Sequence, residues 1–123
     1  MSGNPPNFFN VDDHDQGIFR QLAEGMETRV FPGDQAMISI VRIDPNRCGR
    51  LHSHPEEQWG FCFRGGGFRT QDGIETPVSM GDFWRTPGGV EHSFRAGPEG
   101  ATVYDVFAPP RADYTKPGEG FGG

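Results

Sequence analysis

The sequence predicts an all-β fold, a small sandwich or barrel, and three observations carry that expectation. Glycine and proline supply 19 and 11 of the 123 residues, a share that borders on disordered composition. Eleven Phe and two Trp oppose disorder, because large apolar rings drive collapse. Short strand-like runs alternate with turn signals along most of the chain.

The predicted strands are Glu27–Phe31, Gln35–Ile43, Gln58–Phe63, Gly67–Thr70, Glu75–Ser79, Asp82–Thr86, His92–Arg95 and Thr102–Phe107. The turns between them are marked by Pro32-Gly33-Asp34, Asp44-Pro45-Asn46, Gly65-Gly66-Gly67, Gln71-Asp72-Gly73, Met80-Gly81, Pro87-Gly88-Gly89 and Ala96-Gly97-Pro98. Before them, Asp15 to Glu24 reads as a short helix with Ile18, Phe19 and Leu22 on one side and Gly25 as its stop. The expected organisation is an N-terminal arm over 1–24, one β domain over 25–112, and a flexible Gly-rich tail over 113–123.

Composition excludes several classes of function. Eleven basic residues against 17 acidic ones leave a net charge of −6, which argues against nucleic acid as a partner. No apolar run reaches membrane-spanning length, so no membrane partner is expected. The N-terminus lacks the basic and apolar regions of a secretory signal. With only Cys48 and Cys62 there is no disulfide scaffold, and a cytoplasmic setting is expected. Lys116 is the only lysine, which makes Schiff-base chemistry improbable.

The histidines carry the functional signal. His14 sits in the polar arm and reads as solvated. His52-Ser53-His54 places two imidazoles on one face of an extended segment. Gln58 follows at the head of an apolar strand, and His92 follows a Pro-Gly-Gly turn. Three imidazoles and an amide oxygen suit one divalent transition metal, Zn, Ni, Mn, Fe or Co.

The surrounding residues resemble a known family. G-R-L-H-S-H-P-E-E-Q-W-G-F-C-F-R-G is similar to the first cupin motif, with Gly49, His52, His54 and Gly65 at or near its fixed positions and Gln58 in place of the usual acid. G-D-F-W-R-T-P-G-G-V-E-H is similar to the second, with Gly81, Pro87, Gly89 and His92 in register and Ala96 where the motif ends in asparagine. The resemblance spans about residues 25–110. It implies a single small antiparallel, jelly-roll-like β-barrel with one metal in its lumen, held by His52, His54, Gln58 and His92. The neutral Gln58 leaves a bound ion its full charge, which favours electrophilic chemistry over redox.

In the last strand, Val103, Asp105 and Phe107 share one face. A carboxylate among apolar neighbours needs a partner or a task. The close D-V-F-A-P-P-R resembles that of small single cupins of the pectin-degradation KdgF type, which linearise unsaturated uronates. That resemblance implies catalytic or substrate roles for Asp105, Phe107 and Arg111. Asp105 is then the expected general acid/base, and Arg111, stiffened by Pro109-Pro110, the clamp for a substrate carboxylate.

Trp59, Phe61 and Phe63 alternate with the inward set and should face outward. With Phe8, Phe9 and Trp84 they exceed what one small lumen can hold, and a homodimer is expected. Cys62 reads as a packed core thiol, with a lumen-facing thiol as the alternative. Three classes of function stay open: a metal-dependent lyase, hydratase or isomerase on a small carboxylated sugar-like substrate, an Fe(II) cupin dioxygenase, and a non-enzymatic binder of sugars or small molecules.

Overall fold

The structure, a computed structural model, describes residues 5–121. Eight strands form one sheet: β1 (Ile18–Ala23), β2 (Met26–Pro32), β3 (Met37–Ile43), β4 (Glu57–Gln71), β5 (Ile74–Ser79), β6 (Phe83–Thr86), β7 (His92–Ala108) and β8 (Gly118–Glu119). Their order is β5-β4-β7-β3-β2-β1-β8, with β6 branching off β4. Pairing is antiparallel except between β1 and β8. The sheet does not close, and β5 and β8 are its ends. It folds over one core instead, in which Leu22, Met26 and Val41 of β1–β3 meet Phe94 and Val103 of β7. The result is the jelly-roll-like architecture expected from the sequence.

The fold hinges on β4 and β7, each of which merges two predicted strands. Their ladder shifts register between Cys62 and Arg64 and again between Gly65 and Gly67. The chain bends here because glycine permits it. Gly65 has φ +69°, and a Cβ on Gly67 would lie 2.1 Å from the Arg95 carbonyl oxygen. Gly65 and Gly67 thus let the two backbones pass close to each other at the bend, while Gly66 does the same toward Val78 of β5.

The expected helix over Asp15–Glu24 is absent, and β1 stands in its place. Ile18, Phe19 and Leu22 fit either period over so short a span. What decides is pairing, with Ile18 opposite Val30 and Arg20 opposite Thr28. Arg20 and Leu22 both point inward, a period of two. Gly25, at φ +72°, turns the β1–β2 hairpin rather than stopping a helix.

The tail also departs from expectation. Through Phe121 it packs on the sheet, and residues 122–123 lie outside the described residues, as do 1–4 of the arm. Tyr114, in a 3-10 turn over Ala112–Thr115, and Phe121 are both buried. Arg20 holds the segment by donating to the carbonyl oxygens of Asp113, Lys116, Glu119 and Gly120 at 2.8–3.3 Å. The β domain therefore takes in residues assigned by sequence to arm and tail. The remainder of the arm lies along the outer face, where Asp12 pairs with Arg64 at 2.7 Å and Phe9 contacts Phe31.

Candidate metal centre

His52 and His92 face each other across an isolated bridge in which each backbone N–H donates to the other's carbonyl oxygen. His54 follows on the same extended segment. The ligand atoms of His52, His54 and His92 all lie within 4.8 Å of one another. Backbone pairing thus brings together imidazoles that the sequence separates by some forty residues.

The tautomers follow from hydrogen bonding. His52 Nδ1 lies 3.0 Å from the Arg50 carbonyl oxygen, His54 Nδ1 3.1 Å from that of Glu56, and His92 Nδ1 2.8 Å from that of Val90. A carbonyl oxygen only accepts, so each Nδ1 carries the proton. Each neutral ring then has its lone pair on Nε2, and the carbonyls fix ring orientation as outer partners of metal ligands do.

Burial keeps these rings neutral. It is the main cause that lowers His52 to about 4 and His92 to about 3, and the nearby Arg69 guanidinium lowers His92 further. His54 is also lowered, by burial and then by Arg111. Protons therefore compete weakly for these nitrogens at neutral pH.

Gln58, buried at the start of β4, places Oε1 3.0 Å from His54 Nε2. Its side chain also hydrogen-bonds Asp105. Since Asp105 takes the amide donor, an accepting oxygen faces an accepting nitrogen. Two acceptors at that distance repel unless a cation sits with them. His92 Nε2 is buried and has no partner. The donor set, three imidazole nitrogens and one amide oxygen, therefore fits a divalent transition ion.

Asp105 lies inward on β7 between Val103 and Phe107, as alternation predicts. Burial pushes its carboxyl above the usual range, against the lowering effects of Arg69, the Gln58 hydrogen bond and Arg111. Its Oδ1 has no partner. Phe107 packs edge-on against His54, with centroids 5.4 Å apart.

These residues line a small cavity. His52, Gln58, His92, Asp105 and Phe107 contribute, joined by Arg69, Tyr114 and Phe121. Water-sized atoms have about 40 Å³ of room inside. Phe121 forms part of the roof, its ring stacked on His52 at 4.3 Å. Arg111 is buried outside the lining. It donates to the Phe121 carbonyl oxygen, lies over the Tyr114 ring at 4.2 Å, and leaves Nη1 without a partner. Cys62 is fully buried and outside the lining, a core thiol as expected.

Sequence reasoning missed Arg69, Tyr114 and Phe121. Counting alternation from Gln58 puts Arg69 outside, but the register shifts in β4 turn it inward.

The depressed histidines make acid stability measurable. Each binds a proton more readily unfolded, near 6.5, than folded, so stability falls as pH drops from 6.5 toward 4. Asp105, raised in the fold, acts in the opposite sense. Chelator-treated His92→Gln protein should lose less melting temperature over that interval than wild type. An equal or steeper loss would contradict the assignment of a neutral, buried His92.

Comparison with known proteins gives a consistent picture. Residues 39–107 match the cupin domain family. Oxalate decarboxylase OxdC of Bacillus subtilis (strain 168) is 29% identical over 102 residues, covering 78% of this chain. The chain spans only 26% of that enzyme's length. Among solved structures, KdgF from Halomonas sp. superposes with a TM-score of 0.74 at 23% identity, covering 82% of this chain and 93% of that one. An RmlC-like cupin from Shewanella frigidimarina NCIMB 400 gives 0.74 at 22% identity, with coverage of 82% and 91%. Oxalate decarboxylase from Bacillus subtilis gives 0.71 at 25% identity, covering 77% of this chain and 28% of that one. Another structure of that enzyme concerns its Mn(II) centres.

Proposed function

This chain belongs to the cupin domain family, and from that premise we propose a metal-dependent enzyme of lyase, hydratase or isomerase type. Its proposed substrate is a small carboxylated sugar-like molecule, with an unsaturated uronate as the best candidate. One observation carries this reading. Three neutral imidazoles bring their ligand atoms within 4.8 Å of one another, and two of them, His52 and His92, line a cavity with a buried carboxyl whose Oδ1 has no partner.

His52, His54, His92 and Gln58 would hold one divalent ion, Zn, Ni, Mn, Fe or Co. Bound there, the ion supplies Lewis acidity toward a substrate oxygen. Asp105 takes or delivers the proton at Oδ1, and burial raises its pKa above the usual carboxylate range, which favours its protonated form more than in an exposed carboxyl. Gln58 orients that carboxyl through their shared hydrogen bond. Phe107 walls the cavity and excludes water from the proton path. Arg111 takes a substrate carboxylate at its unpartnered Nη1 once Phe121 moves aside. That movement is required, since a sugar acid does not fit the closed cavity.

The curated relative favours one second reading, decarboxylation of a small dicarboxylate. The test offers the metal-loaded protein an unsaturated monouronate and, separately, oxalate. Loss of the uronate's ultraviolet absorbance, abolished by chelator, supports the first reading. Carbon dioxide from oxalate without uronate turnover supports the second. Oxygen uptake with Fe(II) supports a dioxygenase, and ligand binding without turnover supports a binding protein.

We further propose a homodimer built on the outer sheet face. Ile38, Trp59, Phe61 and Phe83 expose apolar area there, alongside Phe8 and Phe9 of the arm. Light scattering should give twice the chain mass of 13.6 kDa at micromolar concentration, and a monomer would refute the dimer. No helix is long and apolar enough to cross a membrane among the described residues. Cys48 and Cys62 are both free thiols, and we place the protein in the cytoplasm on that ground.

A further inference from the structure

Two buried arginines flank the histidine cluster, and the fold holds them differently. Arg111 acts electrostatically on His52 and His54, whereas Arg69 acts on His92. Arg111 keeps Nη1 without a partner but lies outside the cavity lining. It donates to the Phe121 carbonyl oxygen and lies 3.9 Å from Glu56 Oε1, and two residues it contacts, Tyr114 and Phe121, line the cavity.

Arg69 lines the cavity directly and is only 6% exposed. Its Nε donates to Gln71 Oε1 at 3.1 Å and its Nη2 to Thr86 Oγ1 at 2.9 Å. Both partners are uncharged. No carboxylate lies within 4.0 Å of it among the described residues, Asp105 included. A guanidinium taken out of water without an ion pair is costly, and an anion from outside would offset that cost. Nη1 makes no hydrogen bond with a described residue, so one corner of the fork is open. The 40 Å³ interior has room for about three waters, which suits a carboxylate group and not a sugar ring.

We infer that Arg69 is the anion contact of the closed cavity, a site for a small carboxylate beside the histidine centre and distinct from the substrate-carboxylate contact proposed for Arg111. The inference rests on the proposed reading of the site and adds a second anion contact to it. The anionic group enters the interior, and Arg69 receives it while Phe121 still covers Arg111. The guanidinium supplies charge and direction without needing rearrangement, because Thr86 and Gln71 fix its plane.

The test is acetate binding to the zinc-loaded protein by calorimetry, with thermal shift as a second readout. Arg69→Gln should weaken acetate at least tenfold while zinc content stays at the wild-type level. Arg111→Gln should change it less than threefold. Arg69→Lys keeps charge without the fork and should fall between, and it carries the test if Arg69→Gln does not fold. Wild-type acetate affinity in Arg69→Gln, loss confined to Arg111→Gln, or no acetate binding by wild type would each overturn the inference. Failure of the functional reading looks different. Acetate binding would depend on Arg69, yet no unsaturated uronate would be turned over.

Discussion

Asp105→Asn should lower turnover of the true substrate by about 10²–10⁴-fold, the usual contribution of a positioned proton-transfer group. Zinc content and melting temperature should stay close to wild type. The reason lies in how Asp105 is built into β7. Burial already holds the carboxyl toward its neutral form, and asparagine is a near-isostere of that form. An amide oxygen can still accept from Gln58, so the local hydrogen bond survives. What disappears is a group that can lose and regain a proton. If Asp105→Asn empties the metal site or unfolds the chain, Asp105 is structural and the catalytic assignment is wrong. Wild-type turnover in the variant would place proton transfer on another group.

His92→Ala should have the larger effect on metal. Removing an outer hydrogen-bond partner of a ligand typically costs about 10–100-fold in affinity, and deleting a ligand should exceed that. His92 is 1% exposed, so no water-filled surface stands ready to substitute. The backbone exchange with His52 does not depend on the side chain, so the bridge should persist. Equilibrium dialysis with zinc measures this directly. An affinity within a few-fold of wild type would remove His92 from the proposed ligand set.

The clustering of the histidines is legible in the sequence to the extent that it depends on local geometry. His52 and His54 share a face by period two, and Gln58 heads the strand that carries Gly60 and Cys62 inward. Asp105 was legible for the same reason, being flanked by Val103 and Phe107 on one face of β7. The outward placement of Trp59 and Phe61 follows from that alternation as well.

Alternation fails where a strand changes register, and Arg69 shows why. Two shifts lie between Cys62 and Gly67, and together with the glycine bend they re-aim everything downstream. The turn residues announce a bend, but not how many residues it absorbs. The β1 strand was obscured by a different ambiguity, since six residues carry too little pattern to separate the two periods. The C-terminal segment was obscured by composition. Its glycines suggested mobility, while its order depends on Arg20, whose contacts reach 93 to 100 residues along the chain. No local pattern encodes a partner that distant.

The central claim is that His52, His54, His92 and Gln58 form one metal centre, and metal stoichiometry tests it most directly. Protein purified without chelator should contain about one divalent transition ion per chain by plasma mass spectrometry. The paired variant His52→Ala/His92→Ala, folded by circular dichroism, should contain almost none. An ion retained at wild-type stoichiometry in that folded variant, or wild-type protein that binds none on reconstitution, would contradict the account.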